Sequence, residues 1–97
     1  MHVILSAYRF EGDPDTLAER HQQMVKLFPP GALDLHIAVA DARGLTVFDS
    51  CPDVATHHAF VASPEFRGAI AQVGLPAPET EVLGEVRFAH LSEPVRR

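Results

Sequence analysis

The sequence contains no Trp, no Asn and a single Cys among its 97 residues. One Cys cannot close an internal disulfide, so a reducing, cytoplasmic setting is expected. No apolar run approaches the roughly 18 residues that a membrane span requires. The opening stretch MHVILSAYRF is too short for a signal peptide and lacks a basic start. Basic residues are scarce: eight Lys and Arg against 13 Asp and Glu leave a net charge of −5, and the only basic cluster is Arg96-Arg97. Nucleic acid is thereby excluded as an expected partner, because phosphate binding needs concentrated positive charge. The sequence also lacks a Gly-rich phosphate loop, a Ser nucleophile elbow, a paired-carboxylate spacing, an internal linker and any low-complexity segment. With 46% apolar and 22% charged residues it falls among ordinary globular chains, long enough for one modest core and not for two.

What is present is well punctuated. His2 to Phe10 is apolar and stops at Glu11-Gly12-Asp13-Pro14, which predicts a strand carrying apolar residues on both faces, hence central or at an interface. Asp13 is placed to cap a helix with Pro14 in its first turn. That helix is expected to run to Phe28, with Leu17, His21, Met24 and Phe28 on one buried stripe, and to end at Pro29-Pro30-Gly31. Leu33 to Asp41 alternates: Leu33, Leu35, Ile37 and Val39 against Asp34, His36, Ala38 and Ala40. Asp41-Ala42-Arg43-Gly44 reads as a hairpin turn, and Leu45 to Asp49 as the returning strand.

A second helix is predicted from a Ser50 cap, with Cys51 and Pro52 in its first turn and an inner stripe of Val54, Val61 and one of His57 and His58. Ser63-Pro64-Glu65 restarts it, Phe66, Ala69, Ile70 and Val73 form the next buried stripe, and Gly74-Leu75-Pro76-Ala77-Pro78 ends it. Glu79 to Leu91 alternates again, with Val82, Val86 and Phe88 on one face and Glu81, Glu85 and Arg87 on the other. Residues 1–91 form the expected domain and 92–97 a C-terminal tail. The order βαββαβ is that of a ferredoxin-like α+β domain with a four-stranded antiparallel sheet.

The hairpin through Gly44, the capped helix after Asp49, SPEF at 63–66 and GLPAPETEV at 74–82 resemble the dimeric α/β-barrel superfamily. That superfamily includes antibiotic-biosynthesis-type monooxygenases, stress-responsive barrel proteins and small polyketide cyclases. The resemblance implies a homodimer whose two sheets face each other as a barrel, and a small apolar metabolite held between sheet and helices. Tyr8, His36, Ala38, Ala40 and Phe48 are read as the face a partner sheet would cover. The cofactor-free monooxygenases typically rely on Asn and Trp, and the haem-degrading members on Asn, Trp and an axial His. Neither set has residues to occupy here. The cyclases use His and Tyr, and both residue types are present.

Six His are the richest chemical resource, since imidazole titrates near neutrality. His21, on the core stripe, is either a buried neutral side chain bonded to backbone or a cleft-lining acid–base group. His57 and His58 differ by roughly 100° of helical rotation, so only one can face inward. With Tyr8 these are the candidate catalytic residues. His36, Cys51, Phe60, Phe66 and Arg87 are the candidate ligand-binding residues, although His36 also reads as an interface hydrogen-bonding group, Cys51 as a small buried residue and Arg87 as a partner of Glu85 or Asp49. His2 and His90 read as solvated. No His pair stands at i, i+4, so no metal site is expected, nor any cofactor. Two functions remain open: a cofactor-independent enzyme acting by His and Tyr proton transfer on a small oxygenated apolar metabolite, and a non-catalytic ligand-binding or structural dimer.

Overall fold

The computed structural model describes residues 3–29 and 35–90. In chain order the elements are β1 (Ile4–Glu11), α1 (Pro14–Leu27), β2 (His36–Asp41), β3 (Gly44–Cys51), α2 (Val54–Ala62), α3 (Pro64–Val73) and β4 (Glu79–Glu85). The strands form one sheet in the order β2-β3-β1-β4, with every neighbouring pair antiparallel. Two βαβ units interleaved in this way make the ferredoxin-like α+β fold that the element order predicts. The expected positions of His2, Pro30, Gly31, Leu33, Asp34, Leu91 and the 92–97 tail lie outside the described residues.

Local chemistry explains the framework. Asp13 caps α1, its carboxylate accepting from the Thr16 backbone N–H at 2.9 Å, and Pro14 fills the first helical position, where an N–H has no helical partner. Leu17, His21 and Met24 are buried along one stripe, as the spacing predicts, while Phe28 is the C-cap and is 36% exposed. Ser63 caps α3 through the Phe66 N–H at 3.1 Å, and Gly74 closes that helix in the left-handed conformation with φ 79°. The β2–β3 hairpin turns on Ala42 and Arg43, with the Asp41 carboxylate accepting from the backbone N–H of both Arg43 (2.8 Å) and Gly44 (3.2 Å).

The core lies between the sheet and the helices. Tyr8, Phe10, Leu45 and Val47 from the central strands meet Leu17 and Met24 of α1, Phe66, Ala69 and Ile70 of α3, and Leu75. Among the described residues no helix covers the opposite face of the sheet, and Ile37 and Val39 on it are 52% and 46% exposed.

Four expectations are corrected. The first concerns the faces of β2. The hairpin register pairs His36 with Asp49, Ala38 with Val47 and Ala40 with Leu45, so the small and polar face turns towards α1. Ile37 and Val39, paired with Phe48 and Thr46, occupy the open face. Tyr8, His36, Ala38 and Ala40 therefore belong to the helix side, and of the five residues assigned to a partner-covered face only Phe48 is on it. Alternation separates two faces but does not say which one the helix covers, and β3, apolar on both faces, imposes its own choice through the register.

Second, Ser50 does not cap α2. The strand continues through Cys51, paired with Ile4, and Ser50 is tied to Leu35 by two hydrogen bonds, Ser50 N–H to the Leu35 carbonyl (3.0 Å) and Leu35 N–H to Ser50 Oγ (2.9 Å). Asp53 caps α2 instead, accepting from the Thr56 N–H at 2.7 Å. Cys51 is consequently a buried residue at the end of β3, outside the first turn of α2. Third, Val54, assigned to the inner stripe of α2, is 42% exposed. Fourth, β4 ends at Glu85: the register against β1 slips between Val82 and Gly84, Leu83 is bulged out, and the alternation predicted as far as Leu91 is interrupted. Phe88 is 86% exposed as a result.

Candidate functional site

The helix-facing side of the sheet borders a half-open cavity of about 200 Å³. Its walls are mainly apolar: Phe10 and Val47 from the sheet, Met24, Val25 and Phe28 from α1 and its cap, and Phe60 and Phe66 from α2 and α3. The aromatic wall is continuous, with Phe60 against Phe66 at a centroid separation of 4.7 Å and Phe28 edge-on to Phe60 at 5.7 Å. Four polar residues open into this apolar space, Tyr8, His21, His36 and Asp49, and no Lys or Arg joins them among the described residues.

Three of the four form a chain. The Nδ1 of His36 lies 3.1 Å from Asp49 Oδ1, and its Nε2 lies 3.0 Å from the Nε2 of His21. The register makes this possible, since His36 and Asp49 are direct cross-strand partners and α1 brings His21 over them. The two imidazole planes are within 7° of parallel with centroids 5.1 Å apart. The facing nitrogens are closer together than the ring centres by about two ring radii, so the rings meet head to head, the geometry of a hydrogen bond rather than of a face-to-face stack. Burial holds the His21 imidazole down to about 4, with His36 beside it pushing the same way and Asp49 opposing. His21 is therefore uncharged near neutral pH.

The fourth polar group forms a pair. Tyr8 is buried at the sheet centre, and burial pushes its hydroxyl up to about 12, keeping it a protonated donor. It lies 3.3 Å from Nδ1 of His57, within hydrogen-bond distance. His57 is 1% exposed, and burial, followed by the neighbouring His58, lowers its basicity. His57 does not line the cavity itself and reaches it only through Tyr8.

The sequence candidates thus separate. Tyr8, His21, His36, Phe60 and Phe66 line the cavity, His36 doing so from the helix side and not from a sheet interface. His57 supports Tyr8, while His58, one residue on, is exposed. Cys51 is buried but outside the cavity wall. Arg87 lies beyond the end of β4, exposed, 3.3 Å from Glu85, and is not a cavity group. His90 is exposed. Asp49, Phe10, Met24 and Val25 belong to the site without having been singled out. Asp49 was accessible by counting: stepping back equally from the Asp41/Gly44 turn pairs residue 36 with residue 49.

A wider groove of about 510 Å³ runs on the other side of His21, between α1 and the Ala38–Ala40 face of β2, with Asp15 and Glu19 on its rim. His21 borders both spaces. Among the described residues no group of three or more His, Cys, Asp or Glu is arranged to hold a metal ion, and no helix is long and apolar enough to cross a membrane.

No family model matches the chain, and no curated protein is significantly similar to it. Among solved structures the chain is similar to a Deinococcus radiodurans protein provisionally named an antibiotic biosynthesis monooxygenase, at 12% identity and a TM-score of 0.46, over 99% of this chain and 100% of that one. The class of the molecule, a ferredoxin-like α+β domain, rests on its own strand order and register.

Proposed function

We propose that this chain is an enzyme that moves protons on a small, apolar, oxygenated metabolite, aromatic or polyketide-like, held in the cavity between helices and sheet. The observation that carries the reading is the concentration of proton-transfer groups at one mainly apolar cavity: the Asp49–His36–His21 chain and Tyr8, backed from outside the lining by His57. An uncharged imidazole supplies a base and a protonated buried phenol an acid, the complementary pair that general acid–base chemistry needs. Among the described residues the lining offers no cation to a carboxylate or phosphate, which favours a neutral or weakly acidic hydroxyl compound. A cavity of about 200 Å³ suits one or two rings. The chemistry assigned to these side chains requires no cofactor.

The test uses 1-naphthol, 2-naphthol and simple dihydroxynaphthalenes, with binding followed by calorimetry and turnover by product analysis. Binding at micromolar to low millimolar concentration is expected, and Tyr8→Phe and His21→Gln should each lower turnover at least tenfold with the fold retained. Turnover indifferent to both substitutions would sink the catalytic assignment. Binding with no turnover at any pH would instead select the second reading, a ligand-binding module. That reading has its own support, since every buried side-chain N and O among the described residues already has a partner.

The same proposal includes a homodimer formed through the open sheet face. Its support is the exposure of Ile37 and Val39 beside the half-buried Phe48, an apolar surface that water covers unfavourably.

A further inference from the structure

The hydrogen-bond directions around His21 can be worked out from the carboxylate inward. Asp49, ionised, only accepts, so the proton between it and His36 sits on His36 Nδ1. In neutral His36 the remaining nitrogen, Nε2, then bears a lone pair, and the 3.0 Å contact needs a proton from His21 Nε2. His21 is left with a bare Nδ1. That atom has no hydrogen-bond partner among the described residues, yet no buried side-chain N or O there lacks one. Nδ1 of His21 is therefore open to the cavity or the groove, both of which the ring borders.

Taking the acid–base reading above as its basis, we infer that His21 and His36 work as a two-imidazole proton relay in which His21 accepts a proton at Nδ1 while the positive charge comes to rest on His36 against Asp49. The step balances within the chain. An acidic hydroxyl or a water at the ring edge gives its proton to His21 Nδ1. The His21 Nε2–H bond breaks and its proton forms a bond to His36 Nε2. His21 ends neutral in the opposite tautomer, His36 ends as an imidazolium with both nitrogens donating, and Asp49 remains a carboxylate. The reverse sequence returns the proton.

The arrangement resolves a conflict in the site. A buried imidazole with little room for charge is a poor base if it must hold the proton it takes. Passing charge to His36, which is half-buried and 3.1 Å from a carboxylate, removes that cost. Asp49 acts through His36, so it is a positioning residue. Other titratable groups border the pair: Asp15 and Glu19 on α1 along the groove, and Tyr8 on β1, backed by His57 on α2. Tyr8, kept protonated, and His57, whose basicity burial lowers, add no charge beside the pair.

The experiment is 15N NMR of imidazole-labelled protein without ligand, titrated from about pH 5 to 8, the interval in which imidazole changes charge. His36 should keep a proton on Nδ1 throughout. As His36 gains its second proton, His21 should stay neutral and exchange its Nε2–H tautomer for the Nδ1–H one with the same midpoint. In Asp49→Asn, where no carboxylate faces the charged ring, the His21 tautomer change should move to lower pH or be lost. A His21 that becomes an imidazolium in that step, or that keeps its proton on Nε2 at every pH, overturns the relay. The wild-type tautomer alone decides, so a poorly folding variant does not remove the test. Failure of the naphthol experiments would leave a measured relay standing, and turnover without a tautomer change would remove only the relay.

Discussion

His21 shows how a residue's surroundings set its thermodynamic role. Its folded value of about 4 lies below the ordinary 6.5, so between those values the unfolded chain binds a proton that the folded chain does not. Stability from this group is complete above about pH 6.5 and declines as pH falls towards 4. His57, lowered by burial in the same direction, adds to the slope. Urea unfolding at several pH values should show this acid-side loss, and His21→Gln should make it shallower without abolishing it. A slope unchanged by the substitution would mean that His21 takes its proton in the folded state as readily as in the unfolded one. The same residue shows what sequence can reveal of a site. Its place on a core stripe was readable from offsets of 4 and 3 to Leu17 and Met24. Its partner was not, because His36 is 15 positions away and meets it only after a helix and a hairpin have packed.

At the scale of elements, the caps and breakers were the most legible features, because each acts within a few residues of itself. Asp13, Ser63 and Gly74 do what their positions imply. The failures also have local causes. Ser50 is a good cap by residue type, but its hydroxyl and N–H are already engaged by Leu35 across the sheet, and Asp53 takes the role. Val82 to Phe88 alternates in sequence, but the bulge at Leu83 ends the alternation in space. The hairpin is held by a more stringent requirement. Gly44 has φ 151°, and a Cβ there would stand 2.1 Å from the Phe10 carbonyl oxygen, which belongs to the neighbouring strand. Neither atom can move without disturbing the β1–β3 ladder. Gly44→Ala should therefore cost more than about 2 kcal/mol in urea unfolding, combining backbone strain with a backbone clash. A cost below about 0.5 kcal/mol would show that the ladder yields there.

The whole molecule presents two faces of unequal completion. On one, helices, core and cavity close over the sheet; on the other, Ile37 and Val39 stand exposed beside Phe48. If a second copy covers that face, Val39→Asp should convert the dimer to a monomer in sedimentation velocity with an unchanged far-UV spectrum, because Val39 is half exposed within one chain and outside its core. A wild-type protein that sediments as a monomer at all concentrations would remove the homodimer proposal.

By itself the sequence determined the element order, most of the helix ends, the hairpin turn and the fact that imidazole and phenol are the chemical resources of this chain, since these depend on residue type and short spacing. The tertiary structure alone decided which face of β2 looks inward, and so whether His36 serves an interface or a cavity. It alone joined Asp49, His36 and His21, turned His57 in and His58 out, and separated Cys51 and Arg87 from the site. The physical reason is that alternation and helical period define faces only relative to one another. Register across the sheet and the docking of a helix assign those faces to core or solvent, and a proton-transfer chain exists only where the assignments from three elements coincide.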